Sequence, residues 1–339
     1  MHARARSHDT VASGFSNTIG TVQLDGMPFF ERLRDCKRVL LAGAGGGFDI
    51  FCGLPLYFAL RRRGCKVDLA NLSFSRLPLD HEDPCPVYKV VPTTAGNPDY
   101  FPERGLSEWF ANEHGEDVPI WSFAKSGVQP LRRAYERVLG ETGADAIVLI
   151  DGGTDSLMRG DECGLGTPAE DMSTIAAVHG LDSALAPIRL LVSVGFGVDS
   201  FHGVAHADVL EAIAAIDKAG GYLGVFPLLR GMPEVQRYRE ACDYVCSATP
   251  DRPSIVNLSI LSAIDGEFGD HHRTARTRGS ELFINPLMSL MFAFELAPLA
   301  LRIMYLDALE HTQTIYEISA VLERVRGANG GRPRRTIPL

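Results

Sequence analysis

Three stretches of this sequence gather residue types that can do chemistry. The first is Gly43-Ala44-Gly45-Gly46-Gly47-Phe48-Asp49, which directly follows the apolar run RVLLAG. Glycines at such a point let backbone amides approach an anion, and the start of a following helix adds a positive dipole end. Gly43, Gly45, Gly46 and Gly47 are therefore expected to cradle a phosphate or a carboxylate; the rival reading is tight packing at a turn. The run departs from the dinucleotide fingerprint, because Phe48 stands where a third small residue belongs. The next apolar run continues Ala70-Asn71-Leu72-Ser73, without an acid for a ribose diol. Asp49 would repel an anion unless a metal, a ribose hydroxyl or an ammonium group intervenes; otherwise it caps the next helix. If the amides do cradle a ligand, Gly46→Val should block binding and leave the fold intact.

The second stretch runs from Asp151 to Thr167, DGGTDSLMRGDECGLGT, and begins where a buried strand ends. In an open parallel sheet that is where ligands sit. Asp151, Asp155, Asp161 and Glu162 offer the hard oxygens that suit Mg²⁺, while Gly152, Gly153, Thr154 and Ser156 could face a cofactor. The bland reading is a solvated acidic turn. The third stretch, GFGVDSFHGVAH from Gly195 to His206, also follows a strand. A short helical turn would bring Asp199, His202 and His206 together, either to bind a transition metal or with His202 as general acid or base and Asp199 and Asp155 assisting. His271 and His272 read as a surface segment.

GGTDS resembles the SGGxDS pyrophosphate loop of ATP-dependent amidotransferases and adenylyl-transfer enzymes, although Asp151 replaces the serine and no apolar helix follows Ser156. Over a much longer span, about Val39 to Arg326, the chain resembles an uncharacterised bacterial and archaeal family, a domain of unknown function. The likeness is carried by VLLAGAGGGFD and by DGGTDSLMRGDECGLGTPAED. It implies a shared site and brings no assigned reaction.

The elements that would hold these stretches alternate. RVLLAG, KVDLANLSF, ADAIVLIDGG, IRLLVSVGFG and YLGVFPL read as strands, and helical patterns intervene, which predicts an α/β fold: a Rossmann-like doubly wound, mostly parallel sheet with helices on both faces. TPAEDMSTIAAVHG reads as a helix with Thr167 as its cap, Pro168 at its first position, and Glu170 and Asp171 as favourable charges in its first turn. A loop-rich insertion at about 76–127 is expected to form a mobile cover over the site. The last third reads as helical, including the apolar run Leu287 to Leu301. Residues 1–25 lack periodicity, 30–326 read as a single domain, and 327–339 as a flexible basic tail.

With 33 basic against 42 acidic residues the formal net charge is −9, which opposes a phosphate-backbone binder, so no nucleic-acid partner is expected. No apolar run is long enough to span a membrane and the N-terminus lacks an apolar signal region, so a cytoplasmic location is expected. Seven cysteines without a CxxC pair read as reduced thiols. The expected partner is a small-molecule ligand, and a homo-oligomer is compatible with the sequence. The sequence thus favours an enzyme that binds a nucleotide or another phosphorylated or carboxylated metabolite, with Mg²⁺ as the candidate cofactor, and carries out group transfer or hydrolysis. Its alternative is a non-catalytic nucleotide-binding regulatory module.

Overall fold

The computed structural model describes residues 26–80, 85–280, 282–329 and 331–337. The strands are β1 (Arg38–Gly43), β2 (Lys66–Ser73), β3 (Val87–Val90), β4 (Ile120–Ala124), β5 (Ala146–Asp151), β6 (Ile188–Val194), β7 (Tyr222–Pro227), β8 (Gly269–Asp270), β9 (Phe283–Ile284) and β10 (Leu290–Glu295). The helices are α1 (Pro28–Arg32), α2 (Asp49–Cys52), α3 (Leu54–Arg62), α4 (Pro102–His114), α5 (Val128–Thr142), α6 (Pro168–His179), α7 (His206–Lys218), α8 (Pro233–Ala248), α9 (Ile255–Ile264), α10 (Leu296–Ala300), α11 (Leu306–Leu309) and α12 (Ile315–Asn329). Eight strands form one sheet in the order β3-β4-β2-β1-β5-β6-β10-β7, while β8 and β9 pair separately.

Strands β4, β2, β1, β5 and β6 run parallel, whereas β3 and β10 are antiparallel to their neighbours. β1 is central: Leu41 lies level with Leu69 on one side and Val148 on the other. Such strands are covered on both faces, which is why they read as continuous apolar runs. One face packs against α2, α3, α4, α8 and α9, with Leu54, Leu60, Trp109, Tyr238 and Ile260 among the buried residues. The other packs against α5, α6, α7 and α12, through Leu131, Tyr135, Ile175, Ile216 and Ile318. The chain winds outward from β1 through β2 to β4, then returns to β5 on the far side of β1. The boundary between β1 and β5 is therefore the point where connections change face, and in open sheets of this kind ligands sit at such a point, beyond the carboxyl ends of the strands.

Three expectations need correction. The stretch 76–127 is not a loop-rich cover: it contains β3, α4 and β4, and its aromatic residues Phe101, Trp109, Phe110 and Phe123 are buried at 3% exposure or less. Its polar and proline-rich linkers hid an antiparallel strand pair at the sheet edge, β3 with β4, and the amphipathic helix α4 between them. Leu290–Glu295 is strand β10 rather than helix, because an apolar run buried on both faces has no period that separates the two. Residues 331–337 are held against the body, where Arg332 meets Asp161 and Glu211, and Arg335 meets Asp208. Residues 1–25 lie outside the described residues. Among the described residues, no helix is long and apolar enough to cross a membrane.

Trp109 packs edge-to-face with Phe110 and His114 at centroid distances of 4.8 and 4.5 Å and is 1% exposed. Trp109→Ala should accordingly cost about 3–5 kcal/mol in denaturant unfolding, as a large core truncation does. A change within experimental scatter would return this segment to the role of a loosely attached cover.

Candidate functional site

Three carboxylates from three elements meet beyond the β1–β5 boundary. Asp49 opens α2, immediately after the glycine turn; Asp151 is the last residue of β5; Asp171 lies in the first turn of α6. One oxygen from each falls within 4.8 Å of the others, a spacing that can hold a metal ion. Asp151 accepts a hydrogen bond from the Ser156 hydroxyl and Asp49 accepts one from the Gly45 amide at 2.7 Å. Asp171 is 3% exposed, and its Oδ1 is buried without a hydrogen-bond partner. A buried carboxylate oxygen left unpartnered is costly, so it marks a place where another group belongs.

The glycine turn fits around these acids. A Cβ on Gly45 would sit 2.8 Å from both Asp49 Oδ2 and Asp171 Oδ1, so only glycine lets the backbone come this close. Gly46 has φ +92°, and its Cβ would meet the Leu72 carbonyl oxygen at 2.5 Å. The amides are already engaged: Ala44 donates to Ile150 at 2.7 Å, Gly47 to Leu72 at 3.0 Å, and Gly45 to Asp49. Phe74 and Tyr100 cover the outer side at Gly47. The turn is thus not an open cradle for a bare anion, as its glycine content suggested. Gly46→Val strikes the backbone and forces a β-branched residue to positive φ, so it should damage the fold itself, contrary to the expectation above.

Gly43 ends β1 with Asn71 behind it, Gly152 lies against Asp49, and Gly153 lies between Asp151 and Asp199. Asp199 accepts from the Thr154 amide at 2.6 Å rather than turning to His202. Asp155 accepts from the Thr167 amide at 2.7 Å and from its hydroxyl at 3.2 Å, so Thr167 serves Asp155 instead of capping α6 through its side chain. His202 is exposed, and its charge reaches Asp155. Asp161 and Glu162, expected beside Asp151, are occupied elsewhere. Asp161 pairs with Arg159 and Arg332, while Glu162 accepts the amides of Arg159 at 3.0 Å and Gly160 at 2.8 Å. His272 contacts Thr277 and Asp270 in a surface turn.

Five aspartates thereby share one acidic cluster, in which Asp151, Asp155, Asp171 and Asp199 are all 8% exposed or less. Burial pushes Asp49 up to about 7, against the pull of the Gly45 amide, and the charge on Asp155 adds to the rise. Asp151, Asp171 and Asp199 are raised well above the usual range, first by burial and then by the charge of Asp155. Asp155 is raised by burial, with the Thr167 amide opposing. Such a cluster repels an unaccompanied anion and attracts a cation.

The sequence profile of a family described as "Protein of unknown function (DUF1152)" matches residues 114–329. The chain belongs to that family. No curated protein and no solved structure matches it. The DUF1152 match takes in Asp151, Asp155, Asp171 and Asp199 but begins after the glycine turn, so Asp49 joins the cluster from outside the matched span.

Sequence reasoning read Asp171 only as a favourable charge in a helix's first turn. The available signal was its place at the end of the long TPAED motif, one turn from a strand-end loop full of acids. Asn71, Glu103 and Asn257, all at 0% exposure, gave no signal, because their roles depend on contacts between distant elements.

A carboxyl whose folded pKa is raised favours the protonated state, so its contribution falls as pH climbs from the unfolded value near 4 to the folded one. For Asp49, and for Glu103, which burial pushes up to about 7, that window is roughly pH 4 to 7. In the metal-free protein, Asp171→Asn should relieve the repulsion and raise stability by on the order of 1–2 kcal/mol at pH 8, with a smaller gain at pH 5. Thermal melts across this range test it. A loss of stability that is the same at both pH values would mean that Asp171 is held by contacts needing its charge.

Proposed function

We propose that this protein is an enzyme that uses a divalent cation of the magnesium type, held by Asp49, Asp151 and Asp171. Its substrate is a nucleotide or another small phosphorylated or carboxylated metabolite at the carboxyl edge of the sheet, and its reaction is transfer or hydrolysis of the anionic group. The observation that carries this reading is the convergence of the three carboxylates with Asp171 Oδ1 left unpartnered. Mg²⁺ commonly takes one or two carboxylates and completes its shell with water and substrate phosphate. When bound, the ion would offset the carboxylate charge and act as a Lewis acid toward the ligand's oxygens.

The chain's own residues divide the remaining work. Asp155 and Asp199 hold the loop that follows Asp151 through the amides of Thr167 and Thr154. Ser156 orients Asp151 through its hydroxyl. The proton transfer is assigned to His202, an exposed imidazole whose charge acts on Asp155. An anion that the glycine turn alone would not accept becomes acceptable once a cation lies between it and the acids. That requirement favours a chelated phosphate ester over a free one.

Calorimetric titration of the purified protein with MnCl₂ tests the assignment. Saturable binding is expected, along with a loss of at least about tenfold in Asp171→Asn, whose fold is retained. Mn²⁺ affinity untouched by Asp171→Asn, or no Mn²⁺ uptake by the folded wild type, would remove the cation from the account. Catalytic turnover of phosphorylated compounds with Mg²⁺, lost in His202→Ala, would separate the enzyme from a module that only binds its ligand.

A further inference from the structure

Two consecutive carbonyls lead into Asp49, and each is held by a buried asparagine from a different part of the fold. Asn71, near the end of β2, donates from Nδ2 to the Gly47 carbonyl at 2.8 Å. Asn257, in the first turn of α9, donates from Nδ2 to the Phe48 carbonyl at 3.2 Å. A wholly buried amide side chain is expensive unless its groups are satisfied, and here the donors are spent on the turn.

Each asparagine is itself fixed. Asn71 Nδ2 also donates to Glu103 Oε1 at 2.8 Å, which ties the turn to α4. Asn257 Nδ2 donates to the Ser254 hydroxyl at 2.9 Å, and its Oδ1 accepts from the Tyr238 hydroxyl at 2.7 Å and from the Cys52 thiol at 3.3 Å. The Cys242 thiol reaches the same oxygen at 3.7 Å. Holding a carbonyl fixes the peptide plane that follows it. With the 47–48 and 48–49 planes both fixed, a glycine-rich turn that would otherwise sample several conformations presents Asp49 in one direction, toward the Gly45 amide, Asp151 and Asp171.

We propose that Asn71 and Asn257 are positioning residues that aim Asp49 into the cation cluster, an inference that rests on reading Asp49 as a cation ligand. Neither asparagine touches the ion or the substrate. They act through the two carbonyls, as the outer partners of metal ligands commonly do.

The test uses full-length Asn71→Ser and Asn257→Ser, with Cys242→Ala as a control that disturbs the same buried cluster without removing either donor. Two readouts are needed: Mn²⁺ affinity by calorimetry, and exchange of the Gly45 amide in the metal-free protein, since that amide is bonded to Asp49. The expected result in the folded asparagine variants is Mn²⁺ binding about 10- to 100-fold weaker and faster Gly45 exchange. The Ala44 amide, bonded across to Ile150, keeps its protection. Cys242→Ala follows them in neither readout and lowers the melting temperature alone. Wild-type affinity with wild-type Gly45 exchange in a folded asparagine variant would overturn the proposal, and if one substitution prevents folding the other decides. Were the wild type to take up no Mn²⁺, the cation reading would fall by itself. Gly45 exchange would then still decide the clamp, faster exchange supporting it and unchanged exchange rejecting it.

Discussion

Like charges forced together away from water set the terms for the rest of this structure. Asp49, Asp151 and Asp171 bring oxygens within 4.8 Å of one another, with Asp155 and Asp199 adding to the same field. Among the described residues no cationic side chain is hydrogen-bonded to them: Arg159, Arg332 and Lys125 are engaged by Asp161 and Glu170 instead. The fold holds the acids there with its backbone. Amides of Gly45, Thr154 and Thr167 point at carboxylates, and glycines at 45, 152 and 153 let the main chain come near enough to do so. A site that stores unfavourable charge in this way gains most from a ligand that brings positive charge, and a divalent ion is the most compact form of it.

The sheet explains why the three acids can meet. β1 and β5 are neighbours, but the elements that follow them cover opposite faces, so α2 and α6 start on either side of the sheet at the β1–β5 boundary. Asp49 and Asp171, at or near the starts of those helices, then face Asp151 at the end of the strand between them. Three residues separated by up to 122 positions in sequence become neighbours through a single change of winding direction. The asparagine clamps serve the same end locally, since a glycine-rich turn has no rigidity of its own.

Much of the sheet was legible because doubly covered strands are uninterrupted apolar runs: RVLLAG, AIVLID and IRLLVSV are β1, β5 and β6. Leu290–Glu295 was misread for the same reason, as unbroken hydrophobicity does not distinguish a buried strand from a buried helix. The segment around Trp109 was misread because its prolines and acids break up the pattern around its buried aromatic anchors. At the site, Asp49 and Asp151 were visible as acids beside glycine-rich strand ends. Asp171 was hidden behind an ordinary helix-start role, and Asp161 and Glu162 looked equivalent to Asp151 until Arg159, Arg332 and the loop amides claimed them. Spacing along a loop places acids near one another; it does not say which of them already has a partner.

The most direct measurement is anomalous diffraction from crystals of the protein grown or soaked with Mn²⁺. The account predicts one dominant anomalous peak bounded by oxygens of Asp49, Asp151 and Asp171, at the roughly 2 Å ligand distances of such an ion. A peak confined to Asp161, Glu162 or Glu211, or an ion-free cluster in which the three carboxylates share protons at saturating Mn²⁺, would contradict it.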